Sequence, residues 1–174
     1  MHMNPVQVGS QPVSRRHMAP DAPAVPGGAR AAPSSADRPQ QLPTDRDFAL
    51  MRAAFRSSGG TARGDDLARM MEDLHRVDYV SLARLVASAE VFGFEFRGSY
   101  WIPMFQFDLR NLSIRPGPQQ VLAELAAEFD GWALATWFAQ PNCWLDGAVP
   151  VDLLDSNLAA VLVAARTDRF IAVG

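Results

Sequence analysis

Lysine is absent from this chain of 174 residues, whose 16 basic residues are all arginine. That absence carries no functional reading by itself, but other gaps do. A single cysteine, Cys143, excludes an internal disulfide and any multi-cysteine zinc or iron–sulfur site. Its scarcity suits a reducing cytoplasm. The longest uninterrupted apolar run, Leu158 to Ala165, is eight residues, whereas a membrane span needs about 20. The N-terminus has no apolar core of a secretory signal, so a cytoplasmic, non-membrane protein is expected.

Histidine is nearly as scarce. His2 and His17 lie in a segment unsuited to folding, and His75 stands alone in the rest. No histidine-based metal site or Ser–His–Asp triad can be assembled from one such residue. His75 is read as a solvated residue near a helix end, favoured by the helix dipole. Cys143 has no histidine to activate it and is read as a small packing residue. Gly93 to Gly98 lacks the spacing and context of a phosphate-binding loop. Asp65-Asp66 falls at a helix start, where dipole compensation accounts for paired carboxylates. These gaps together predict a protein that is not an enzyme, with no catalytic residue, metal or cofactor.

Charge and aromatic content divide the chain. Residues 1–44 hold eight of the 13 prolines and none of the 16 aromatics. Ordering each residue costs about 1–2 kcal/mol of backbone entropy, and this segment has almost nothing to bury against that cost. A disordered tail is expected there. It carries four arginines against two aspartates, a net +2, while residues 45–174 carry twelve arginines against seventeen acids, a net −5. An acidic body is a poor stand-alone nucleic-acid binder, because phosphate contacts need a basic face. Apolar residues at 48% and charged residues at 20% are ordinary for a globular body.

Within that body the hydrophobic period predicts a mainly helical fold, a compact bundle with one small β-hairpin. Thr44 is a candidate N-cap for a helix over 45–57, with Phe48, Met51 and Phe55 at helical spacing. A second helix is predicted over 65–76, with Leu67, Met70, Met71 and Leu74 on its stripe. A third is expected over 79–89, burying Leu82, Leu85 and Val86. The period then changes: 91–96 and 100–102 are β-prone and flank Arg97-Gly98-Ser99, a hairpin signal closed by Pro103. Pro116-Gly117-Pro118 reads as a breaker before a helix carrying Val121, Leu122, Leu125 and Phe129. A fifth helix is predicted over 132–139 after Gly131, then a short turn over 150–154. The last helix spans 157–169, with Leu158, Val161, Leu162 and Ala165 inward and Asp155 or Ser156 as cap.

From residue 97 onward the sequence carries a more specific pattern. Ile102-Pro103-Met104-Phe105-Gln106-Phe107 is followed by Gly131-Trp132 and Trp137-Phe138. Then comes Pro141-Asn142-x-x-Leu145-x-Gly147-x-x-Pro150-x-x-Leu153-Leu154 and the closing helix. This run resembles the C-terminal toxin-binding domain of the Xre/MbcA/ParS antitoxin family. The resemblance implies a partner, a RES-domain toxin that degrades NAD and is encoded by an adjacent gene. It further implies that the C-terminal region blocks the toxin's active site. Family members often dimerise and repress their own operon through a helix-turn-helix, so a homodimer is an option here.

On that reading the chain divides into a tail (1–44), a helical region with a degenerate helix-turn-helix and the hairpin (45–110), and a helical toxin-binding domain (111–174). Candidate toxin-binding residues are Trp144, Arg166, Arg169, Phe170 and Ile171, aromatic and arginine anchors late in the chain. Val163 faces away from the inward stripe, which leaves the last helix a second surface to cover. Trp132 and Trp137 are read as core, whereas Trp144 stays open between core and anchor. Ser81 to Val86 resembles the first helix of a helix-turn-helix, but Ala89 to Gly93 turns into the hairpin too soon for a long recognition helix. Arg84 and Arg97 are the only candidate DNA contacts. The alternative function is a DNA-binding transcriptional regulator without a toxin partner.

Overall fold

The computed structural model describes residues 42–74 and 81–174. His75, and the ends of the second and third predicted helices at Arg76 and Tyr79, lie outside these residues. Internal contacts separate Met1–Gln40 from a second unit, Gln41–Gly174. It is mainly helical: the described residues form seven α-helices and one antiparallel sheet of three strands. None of their helices is long and apolar enough to cross a membrane.

Helix α1 (Asp45–Ala54) begins at Thr44, as expected, through a reciprocal capping box. The Asp47 N–H donates to Thr44 Oγ1 at 3.3 Å, and the Thr44 N–H returns a bond to Asp47 Oδ2 at 2.9 Å. The hydroxyl and N–H of Thr44 hold the Asp47 carboxyl below its ordinary range. The helix gives way to a 3-10 turn at Arg56–Ser58, short of the predicted end, and Gly59 follows at φ 104°. Strand β1 (Thr61–Arg63) comes next, then α2 (Gly64–Leu74) and α3 (Leu82–Ala87).

β1 is a strand the sequence did not announce, since Thr-Ala-Arg has no alternation to read. The hairpin of β2 (Phe94–Phe96) and β3 (Ser99–Pro103) forms where expected, with Phe96 opposite Ser99. Its two connecting residues, Arg97 and Gly98, both have positive φ (49° and 69°). That matches the twist of the flanking strands. β3 is central, with β1 and β2 on its two sides.

Side chains alternate along β3, and this alternation organises the unit. Ile102 points into a core with Leu67, Met71, Leu82, Leu85 and Phe107. Trp101 packs the other way, beside Phe48 of α1 and against the larger core. Of the predicted α2 stripe only Leu67 and Met71 are buried; Met70 and Leu74 are exposed, which corrects that expectation. An eleven-residue helix lying on one sheet face needs only those two contacts.

The larger core collects Phe92, Phe94, Phe105 and Phe138 with side chains from the four helices that complete the fold: α4 (Pro116–Leu125), α5 (Gly131–Ala139), α6 (Pro150–Leu153) and α7 (Leu158–Val173). Each fully buried ring is worth roughly 1.5–3 kcal/mol. Pro116-Gly117-Pro118 is not a breaker. It forms the first turn of α4, where a proline lacking its N–H costs nothing. Gly131 opens α5 under an Asp130 cap, and a Cβ there would lie 2.0 Å from the Gly93 carbonyl oxygen. Helix and strand entry therefore meet backbone to backbone.

The Pro103–Phe107 stretch is buried. Gln106 accepts from the Phe92 N–H at 2.8 Å and donates to the carbonyls of Phe92 and Pro103 at 2.9 and 3.0 Å. A buried amide with all these partners is cheap to bury, and it ties the hairpin's exit to its entry.

Candidate interaction surface

Helix α7 is fixed from its start by Asn157, whose side chain accepts from the Ala160 N–H at 3.3 Å. Asn157 is thus the cap, in place of Asp155 or Ser156; Asp155 is drawn instead into an ion pair with Arg115. The buried side of α7 is made of Val161, Ala164 and Ala165. Two alanines in that position let α4 pack closely along it.

Glu124 of α4 lies at the edge of this helix pair. Its two oxygens accept from Arg166 Nε at 2.8 Å and from Arg169 Nη1 at 2.6 Å. Both candidate arginines are therefore held by one carboxylate before any partner arrives. A second carboxylate, Asp168, gathers three donors. Trp137 Nε1 and Asn142 Nδ2 reach Oδ2 at 2.7 and 2.8 Å, and Trp144 Nε1 reaches Oδ1 at 2.8 Å. Asn142 in turn accepts from the Trp144 backbone N–H at 2.8 Å. The loop that follows α5 is thereby fastened to α7, and the Trp144 ring, 49% exposed, is fixed in orientation at the surface.

Beyond Asp168 the helix runs on to Val173, one turn further than the sequence suggested, and every residue from Arg169 to Gly174 is exposed. Phe170 is 81% exposed and Ile171 59%. Val163 lies seven residues before Phe170, nearly on the same side of the helix, and is also exposed. Beside the Asp168 knot, Phe129, Trp132, Trp137, Gln140 and Pro141 contribute to an open groove of about 520 Å³. The surface thus combines fixed aromatic and arginine groups with exposed apolar side chains at the end of α7.

The candidate DNA contacts are not brought together into a basic face. Arg97 is paired with Asp45 at 2.5 Å and its guanidinium stands 5.7 Å from the Phe96 ring. Arg84 is exposed on α3. Cys143 is exposed, not packed as expected. Among the described residues no group of three or more histidine, cysteine, aspartate or glutamate side chains could hold a metal ion.

Glu124 and Asp168 were not legible as functional positions. Each acts on partners 24 to 45 residues away, and a lone carboxylate on a helix gives no local sign of that. No protein-family model, curated protein or solved structure matches this chain.

Proposed function

We propose that this chain is the antitoxin of a type II toxin–antitoxin system. It neutralises a NAD-degrading RES-domain toxin by binding it and occluding its active site with the C-terminal region. The observation that carries the reading is the end of α7, where Phe170 and Ile171 stand exposed on a helix whose preceding turn is clamped by Glu124 and Asp168. Exposed apolar side chains clustered on a rigid element mark a surface awaiting a partner. The residue pattern from Ile102 to Leu154 supports the identity of that partner through the family it resembles.

Function by occlusion requires no chemistry from this chain. It requires a helix end that enters a cleft and aromatic or arginine anchors that arrive in the correct rotamer. Pre-ordering matters because each long side chain immobilised on binding costs about 0.5–1.5 kcal/mol. Glu124 has already taken that freedom from Arg166 and Arg169, and Asp168 from Trp144. Phe170 and Ile171 would then supply the apolar area buried in the complex.

The test is co-expression with the product of the neighbouring reading frame, affinity capture, and measurement of cellular NAD. The expected result is a stable complex, with NAD collapsing only when this chain is missing. If the neighbour neither binds nor depletes NAD, the antitoxin reading fails. Salt-sensitive binding to the chain's own promoter would then favour a regulator.

A further inference from the structure

Among the described residues, two side-chain polar atoms are buried with no hydrogen-bond partner: Thr61 Oγ1 and Trp101 Nε1. They are neighbours in the sheet. Arg63 stands opposite Trp101 in the β1–β3 ladder, and Thr61 lies two residues along on the same face. Buried polar groups are satisfied about nine times in ten, so an orphan has a cause. The cause is sought at Thr61, which lines a cleft, whereas Trp101 does not.

The groups around Thr61 suggest what it is. Phe48, Arg52, Arg56, Gly59 and Gly60 join Thr61 in lining a cleft of about 450 Å³ between the end of α1 and β1. Arg52 and Arg56 are four residues apart, a spacing at which like charges repel by a few tenths of a kcal/mol. Neither they nor Arg63 has a carboxylate partner among the described residues. Arg46 and Arg84 also lack one, whereas Arg69, Arg97, Arg110, Arg115, Arg166 and Arg169 are ion-paired. The Arg52 guanidinium stands 5.8 Å from the Phe48 ring centre and 5.4 Å from that of Trp101. Two rings therefore hold it over the face that carries both orphans.

The cleft thus offers two guanidinium forks without carboxylate partners, all donors, with the orphan hydroxyl of Thr61 buried in its wall. Such a set complements an oxyanion, and the planar forks suit phosphate oxygens. The volume falls within the roughly 300–1,000 Å³ of small-molecule sites. The net charge of −5 over residues 45–174 repels a polyanion at long range. A single phosphate group at the cleft feels mainly the local arginines, since charges beyond about 8–10 Å are screened in physiological salt. We propose that this cleft binds the phosphate group of a small phosphorylated molecule of about mononucleotide size. The proposal is independent of the toxin partner.

The experiment is an NMR titration of the full-length chain at constant ionic strength, following backbone amides and the tryptophan indole N–H signals. The probes are inorganic phosphate, adenosine 5′-monophosphate and a short DNA duplex. Expected are saturable shifts confined to Gly59, Gly60, Thr61 and the Trp101 indole with the monophosphate. Arg56→Gln should weaken that binding about tenfold, the loss of one charge-assisted hydrogen bond. Thr61→Val should weaken it several-fold, and Thr61→Ser should retain it. Thermal unfolding checks the variants; if Thr61→Val does not fold, the exposed Arg56 decides alone. Absence of saturable shifts with both small probes overturns the proposal and leaves a cleft holding water only. Affinity unchanged by Arg56→Gln also overturns it, as does tighter binding of the duplex at equal phosphate concentration.

Discussion

The arginines of this protein fall into two populations. Arg166 and Arg169 near the C-terminus share one carboxylate, Glu124, which is itself largely buried between helices. Arg52, Arg56 and Arg63 near the start of the described body have no such partner among the described residues, although the chain carries more acids than bases. The first arrangement fixes geometry: the charge is already used, and the side chain's value to a partner lies in its fixed position. The second leaves charge in reserve. A paired arginine contributes to architecture first; an unpaired one beside a buried orphan donor is what the proposed phosphate site would draw on.

The sharpest break in this comparison comes from the second carboxylate, Asp168 of α7. Asp168→Ala strips acceptors from two indoles and one amide at once, and the two partly buried donors, on Trp137 and Asn142, cost about 1 kcal/mol or more each. A loss of roughly 2–3 kcal/mol is expected in urea unfolding, with a red shift in tryptophan emission as Trp144 is released. Unchanged stability would mean that the knot does not hold the loop.

Glu124→Ala frees both C-terminal arginines, but these are about half exposed, so the ion pairs are screened. Roughly 0.5–1 kcal/mol is expected, lessened by added salt. Phe170→Ala removes an exposed ring and should leave stability within about 0.5 kcal/mol. If the proposed toxin complex exists, the same change should weaken it tenfold or more in a pull-down titration, because buried aromatic anchors dominate interfaces. Combined with Arg169→Ala, it should abolish protection of cellular NAD; full protection would remove these residues from the docking surface.

The smallest effect is one of pH. The Arg110 side chain and backbone N–H hold the Asp108 carboxyl down at about 2, from an ordinary 3.8. A lowered folded-state value stabilises the protein above the unfolded value and loses that contribution as pH falls. A slight decline in Tm between about pH 4 and 2 is expected, reduced in Arg110→Ala.

Much of the fold was legible because it rests on local chemistry. Thr44 marks a helix start, Arg97-Gly98 marks the hairpin, and Val121, Leu122 and Leu125 mark an inward face. β1 was not legible, because three residues without apolar alternation become a strand only when β3 is there to pair with them. Pro116-Gly117-Pro118 misled because proline stops a helix in its interior yet suits its first turn. At the candidate surface the exposed members, Phe170 and Ile171, could be named from their position late in the chain. The carboxylates that order their neighbours could not, since their partners are distant in sequence.

The sheet carries a further consequence. Its two outer strands, β1 and β2, are each three residues long. Free strand edges are templates on which other chains polymerise, and very short ones are among the ways proteins blunt that hazard. Outer strands this brief give an incoming strand almost no ladder to extend. Among the described residues the sheet is thus guarded against edge-to-edge pairing, and recognition by an added strand finds little to build on.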